Sequence, residues 1–184
     1  MTSLRTLIVL PLLLSACTLD RVGGVLLADT AGDPDTGYLP APEHVDRFQL
    51  TNQDCVPATL GTSEYFFCTN LLDWSAAAAD CAAAGFHLVK IDNPLENSFL
   101  LKQSYLITGS RAATWWTGGS DLGHEGTWTW TDGSRITYTA WHTATGEPNG
   151  RTSENCLQLN SHGGSGQWND YGCSTFDLYY ICEL

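Results

Sequence analysis

The hydrophobic pattern changes at residue 55 and again at residue 109. Tyr65-Phe66-Phe67-Cys68 is a short aromatic run that predicts a strand. Asp73-Trp74-Ser75 opens an alanine-rich stretch through Ala84, with Asp73 placed to cap a helix and Gly85 to stop it. His87-Leu88-Val89-Lys90-Ile91 alternates and predicts a second strand. Asp92-Asn93-Pro94-Leu95-Glu96 starts another helix, with a cap residue, a proline in the first turn and an early acid. Leu95, Phe99, Leu100 and Leu106 give that helix an apolar stripe. After Gly109 the helical signals stop. Trp115-Trp116-Thr117-Gly118-Gly119, Thr127-Trp128-Thr129-Trp130, Cys156-Leu157-Gln158-Leu159 and Leu178-Tyr179-Tyr180-Ile181-Cys182 predict short strands in loop-rich surroundings. Two helices followed by strands make an α+β domain over 55–184.

Upstream the texture is different. Residues 18–54 lack cysteine and carry Ala-Gly-Asp-Pro-Asp-Thr-Gly and Leu-Pro-Ala-Pro-Glu, the composition of an extended linker, with room for one short strand over 44–50. About 37 residues of such chain have an r.m.s. span of roughly 30–35 Å and a full reach of about 120 Å. The first residues form a targeting signal: Arg5 is the positive n-region and Leu7 to Leu14 the apolar h-region. That run is far shorter than the roughly 20 residues needed to span a bilayer. A plain secretory signal explains it, with Cys17 incidental. Leu14-Ser15-Ala16-Cys17 also resembles a bacterial lipobox, which implies a signal over 1–16, a lipidated Cys17 and a flexible linker over 17–54. It implies, too, an exported protein anchored by lipid in the cell envelope.

Charge narrows the class of partner. Eight Lys and Arg face 20 Asp and Glu, a formal net charge of −12, and removing 1–16 takes away only one cation. Nucleic acid and anionic membrane surfaces repel such a chain. A cation or a neutral ligand suits it. Seven cysteines leave one over if six pair, and six allow 15 pairings among which spacing does not choose. No Cys-x-x-Cys exists, and an exported chain favours disulfides over a metal-thiolate site.

The densest chemistry lies between Glu147 and Asp170. Glu147-Pro148-Asn149, Glu154-Asn155-Cys156 and Trp168-Asn169-Asp170 bring carboxylates and amides together with only Arg151 as a cation among them. Ca²⁺ takes six to eight oxygens from such groups. Glu147, Asn149, Glu154, Asn169 and Asp170 supply most of that set if the chain folds back on itself. Taken singly, each is an ordinary loop residue.

Together these three motifs resemble the C-type lectin-like domain, specifically its Glu-Pro-Asn subclass of calcium-dependent sugar binders. Trp115 to Gly119, Trp128-Thr129-Trp130-Thr131-Asp132-Gly133 and Trp141 are similar to the family's core strand and its spacing, and the likeness covers roughly 55–184. The resemblance implies two helices, short antiparallel strands and a long calcium-binding loop braced by disulfides. It implies bridges Cys55–Cys68, Cys81–Cys182 and Cys156–Cys173, and a cis bond before Pro148. One Ca²⁺ is then held by Glu147, Asn149, Glu154, Asn169 and Asp170. Glu147 with Asn149 takes one hydroxyl of a mannose-type sugar, and Glu154 with Asn169 its neighbour. A second ion is implied at Asp121, Glu125 and Glu154, although Gly150 and Asn155 stand where acids are usual. The tryptophans are expected to be core, not ligand platforms. Two other classes remain open: a protein-binding or structural module on the same fold, and a glycan-processing enzyme whose carboxylate pair hides among the acids. No histidine or serine lies in a recognisable nucleophile motif.

Overall fold

A computed structural model describes residues 54–160 and 163–184. The segments expected to be a signal, a lipidated Cys17, a linker and a strand over 44–50 lie outside the described residues. β1 (Cys55–Leu60) and β2 (Ser63–Leu72) form an antiparallel hairpin in register from Cys55↔Cys68 to Leu60↔Ser63. Its turn contains Gly61 at φ 63°, a left-handed conformation that glycine adopts without penalty. α1 (Trp74–Ala83) starts where expected: Asp73 Oδ1 accepts the Ala76 N–H at 2.7 Å. β3 is only His87–Leu88. The remainder of that predicted strand is still pinned, since Val89 N–H donates to Ile181 O and Val89 O accepts from Gly118 N–H.

α2 (Pro94–Thr108) is capped by Asn93, whose Oδ1 accepts the Glu96 N–H, and ends at Gly109 with φ 66°. Its stripe is not the one the leucines predict. Leu95 and Leu106 are 69% and 61% exposed, while Glu96, Asn97, Leu100 and Ser104 form the buried face. The polar members of that face receive the polar tips of core aromatics. Tyr65 OH donates to Glu96, Trp168 Nε1 to Asn97 Oδ1 at 2.8 Å, and Trp115 Nε1 to Ser104 Oγ. Buried Tyr and Trp need such partners, and here the helix provides them.

β4 (Trp115–Ser120), β5 (Cys156–Leu159), β6 (Trp168–Tyr171) and β7 (Leu178–Glu183) complete the sheet, in the order β1-β2-β7-β4-β5-β6. β3 pairs with the end of β7, and β4 runs parallel to its beginning. Residues 127–130 do not form a strand. Thr129 makes single bridges to Ser120 and Arg135, and the chain then turns through Gly133, whose N–H bonds Trp130 O. Two apolar clusters flank the sheet, one with Phe66, Leu88, Trp116 and Tyr180 against α1, the other with Phe67, Trp115, Leu157, Trp168 and Ile181 against α2. Trp115, Trp116, Trp130 and Trp168 are core, as expected. The bridges are Cys55–Cys68, Cys81–Cys182 and Cys156–Cys173. Among the described residues no helix is long and apolar enough to cross a membrane.

Candidate functional site

β5 and β6 pair so that Asn169 lies opposite Gln158 and Asp170 opposite Leu157, and Cys156–Cys173 ties the two strands together just outside that ladder. Asp170 is 1% exposed, and both of its carboxylate oxygens accept from the loop. One oxygen accepts the Asn149 N–H at 3.0 Å and the other the Gly150 N–H at 2.8 Å. The strand thereby grips the loop immediately after Glu147-Pro148, whose peptide bond is cis.

Glu147 is held on one side only. Thr145 Oγ1 lies 2.8 Å from Oε1, whereas Oε2 is buried with no hydrogen-bond donor. The Glu147 carboxyl lies beside the Asp170 carboxylate, so acceptor meets acceptor. Burial raises the Glu147 carboxyl above its ordinary value, and the neighbouring Asp170 and Glu154 charges add to the rise. Glu154 is raised as well, by burial first and by Asp170 second. Its side chain fills the space over Gly150, where a Cβ would overlap it. In this arrangement an acid cannot stand at 150.

The two amides turn N–H groups inward. Asn149 Nδ2 donates to Thr145 O, and Asn169 Nδ2 to Asp170 O. Each amide oxygen is left without a protein donor among the described residues. Among those residues no three Asp, Glu, His or Cys side chains gather closely enough to hold an ion by themselves, so a site here requires the amides too. The donor set fits a hard cation: three carboxylates, two amide oxygens, and one buried carboxylate oxygen with nothing to neutralise it. At the second expected position Asp121 is 3% exposed, with Oδ2 on Gly126 N–H and Oδ1 unpartnered, while Glu125 is exposed in the turn. Thr145 is the residue that reading the motifs misses; a hydroxyl two residues before an acid is too common to single out.

The family model described as "Lectin C-type domain" matches residues 70–184. The chain belongs to the C-type lectin domain family. The hepatic lectin of Gallus gallus is 36% identical over 122 residues, 65% of this chain and 53% of that protein, so the chain spans about half the length of that relative. Lectins are carbohydrate-binding proteins without enzymatic activity. Among solved structures, the C-type lectin CEL-I from Cucumaria echinata superposes with a TM-score of 0.62 at 27% identity, covering 69% of this chain and 93% of that one. Herring type II antifreeze protein does so at 0.61 and 26%, covering 70% and 94%. One C-type lectin fold thus carries more than one function, and the loop of this domain has to decide its own.

Proposed function

We propose that this C-type lectin domain is a calcium-dependent sugar-binding module of the Glu-Pro-Asn subclass. On this reading it recognises vicinal equatorial hydroxyls of mannose-type sugars, on an exported, lipid-anchored protein. The observation that carries the reading is the buried, orphaned Glu147 Oε2 on a carboxyl beside the Asp170 carboxylate, an acceptor that a cation satisfies. Glu147, Asn149, Glu154, Asn169 and Asp170 are the residues that would hold Ca²⁺. When bound, the ion supplies positive charge and coordination positions that sugar hydroxyls fill in place of water.

The chain's own side chains do the selecting. Glu147 with Asn149, and Glu154 with Asn169, each pair an acceptor with a donor. A hydroxyl between them gives its proton to the carboxylate and accepts the amide N–H, which uses its full hydrogen-bonding capacity. Thr145, on Glu147 Oε1, sets which carboxylate oxygen is free. Asp170 serves the ion and keeps the loop seated through the Asn149 and Gly150 N–H groups. Six of the seven cysteines are bridged, and the seventh is Cys17 of the lipobox-like tetrapeptide, which supports the anchor.

Exchanging Glu147→Gln with Asn149→Asp tests the specificity. It keeps one carboxylate and one amide but reverses two hydrogen bonds at one hydroxyl, each unmade bond costing about 1–3 kcal/mol. That is roughly ten- to a hundredfold in affinity. In competition for a mannose-coated surface in excess calcium, wild type is expected to prefer free mannose to free galactose, and the exchanged protein to lose or invert that preference. A wild type that favours galactose overturns the specificity.

A further inference from the structure

Cations are scarce in this chain, 8 against 20 acids, yet two of the five among the described residues meet at one cleft. It is a cavity of about 240 Å³ between α2 and the turn that follows. Lys102 and Tyr105 come from the helix, Ser110 and Arg111 from the turn, and Asn160 and Gly164 from the opposite wall. No Asp or Glu lines it, in a protein of net charge −12. Lys90 is paired with Asp132, but neither Lys102 nor Arg111 has a carboxylate partner among the described residues.

Arg111 is held ready. Its guanidinium lies 4.9 Å from the centre of the Tyr105 ring, a cation–π contact. Its carbonyl accepts from Nδ2 of Asn160, a residue 1% exposed whose amide also bonds Ala113 O. Gly164, at φ 92°, packs so closely that a Cβ there would lie 3.0 Å from the Arg111 Cβ and carbonyl oxygen. Ser110 Oγ accepts the Ala112 N–H, which leaves its O–H to donate. A guanidinium edge, an ammonium and a hydroxyl proton are all donors, and two of them are charged. The complement of that set is an oxyanion.

We propose that this cleft binds an oxyanion, the sulfate or carboxylate of a small acidic ligand, without calcium and independently of the ion ligands proposed at Glu147, Asn149, Glu154, Asn169 and Asp170. The test is calorimetry of the full chain in chelator, titrated with inorganic sulfate, with N-acetylglucosamine 6-sulfate, and with neutral N-acetylglucosamine as control. Both anions are expected to bind saturably at one site and the neutral sugar not at all. Tighter binding of the sulfated sugar identifies an acidic saccharide as the ligand, and equal binding a free oxyanion. Arg111→Gln and Lys102→Gln should each weaken sulfate binding roughly tenfold, while Lys90→Gln leaves it unchanged. Thermal melts of all three should match wild type. If the Arg111 and Lys102 variants lose stability but keep sulfate affinity, the two cations merely offset the negative end of α2 and the proposal is wrong. Absence of saturable sulfate binding overturns it equally. Since every titration runs in chelator, the result does not depend on whether the loop holds calcium.

Discussion

At the scale of single residues, three carboxyls among the described residues are raised, and they shape the response of the domain to pH. Glu147 and Glu154 are raised mainly by burial, with Asp170 adding to both. Glu183, at the end of β7, is pushed up from 4.5 to about 7 by burial; the Lys90 N–H bond opposes the rise without cancelling it. A raised carboxyl means that the folded chain binds its proton more tightly than the unfolded chain does. The resulting stability is complete below the ordinary value of 4.5 and is lost as pH rises through about 7. In chelator the melting temperature should therefore fall as pH rises across that window, and Glu183→Gln should remove much of the slope. A slope of opposite sign, or one untouched by the substitution, contradicts this assignment. With calcium present the loop carboxylates behave differently, because protons compete with the ion for their oxygens and acidification releases it.

At the scale of elements, α2 shows most clearly what the sequence reveals and what it hides. Its ends were legible: Asn93, Pro94 and Gly109 act through their own backbone neighbours, and local chemistry is what a sequence displays. Its buried face was not, because Asn97 and Ser104 are accepted inside through Trp168, Gly166 and Trp115, and Trp168 lies 71 positions from Asn97. A leucine count cannot foresee a partner that distant. The prediction follows from the bonds. Asn97→Ala breaks the Trp168 and Gly166 bonds and leaves a buried indole N–H unpaired, a cost of about 1–3 kcal/mol in denaturant titration. Leu106→Ala, at 61% exposure, should cost almost nothing. Equal losses would restore the leucine stripe as the docking face. That the two motifs meet was legible for the opposite reason: Glu-Pro-Asn and Trp-Asn-Asp are each contiguous, and the Asp170 carboxylate on the Asn149 and Gly150 N–H groups brings them together. The basic cleft was hidden because Lys102 and Arg111 converge only through the turn ending α2.

At the scale of the molecule, the described domain accounts for six cysteines, and the seventh, Cys17, lies in the lipobox-like tetrapeptide on which the proposed anchor rests. Mass spectrometry of membrane-extracted, non-reduced protein should find a lipid-modified N-terminal Cys17 and three intact bridges. A free Cys17 thiol behind an uncleaved signal would refute the anchor. For the loop, calorimetric titration of the full chain with calcium is the most direct measurement. Wild type should bind one ion with a Kd of about 10⁻⁴–10⁻³ M, the range of extracellular sites. Glu147→Gln with Asn169→Ala, which removes one carboxylate and one amide but leaves Asp170 gripping the loop, should abolish that binding while the fold persists. Calcium bound equally well by the variant would contradict the account.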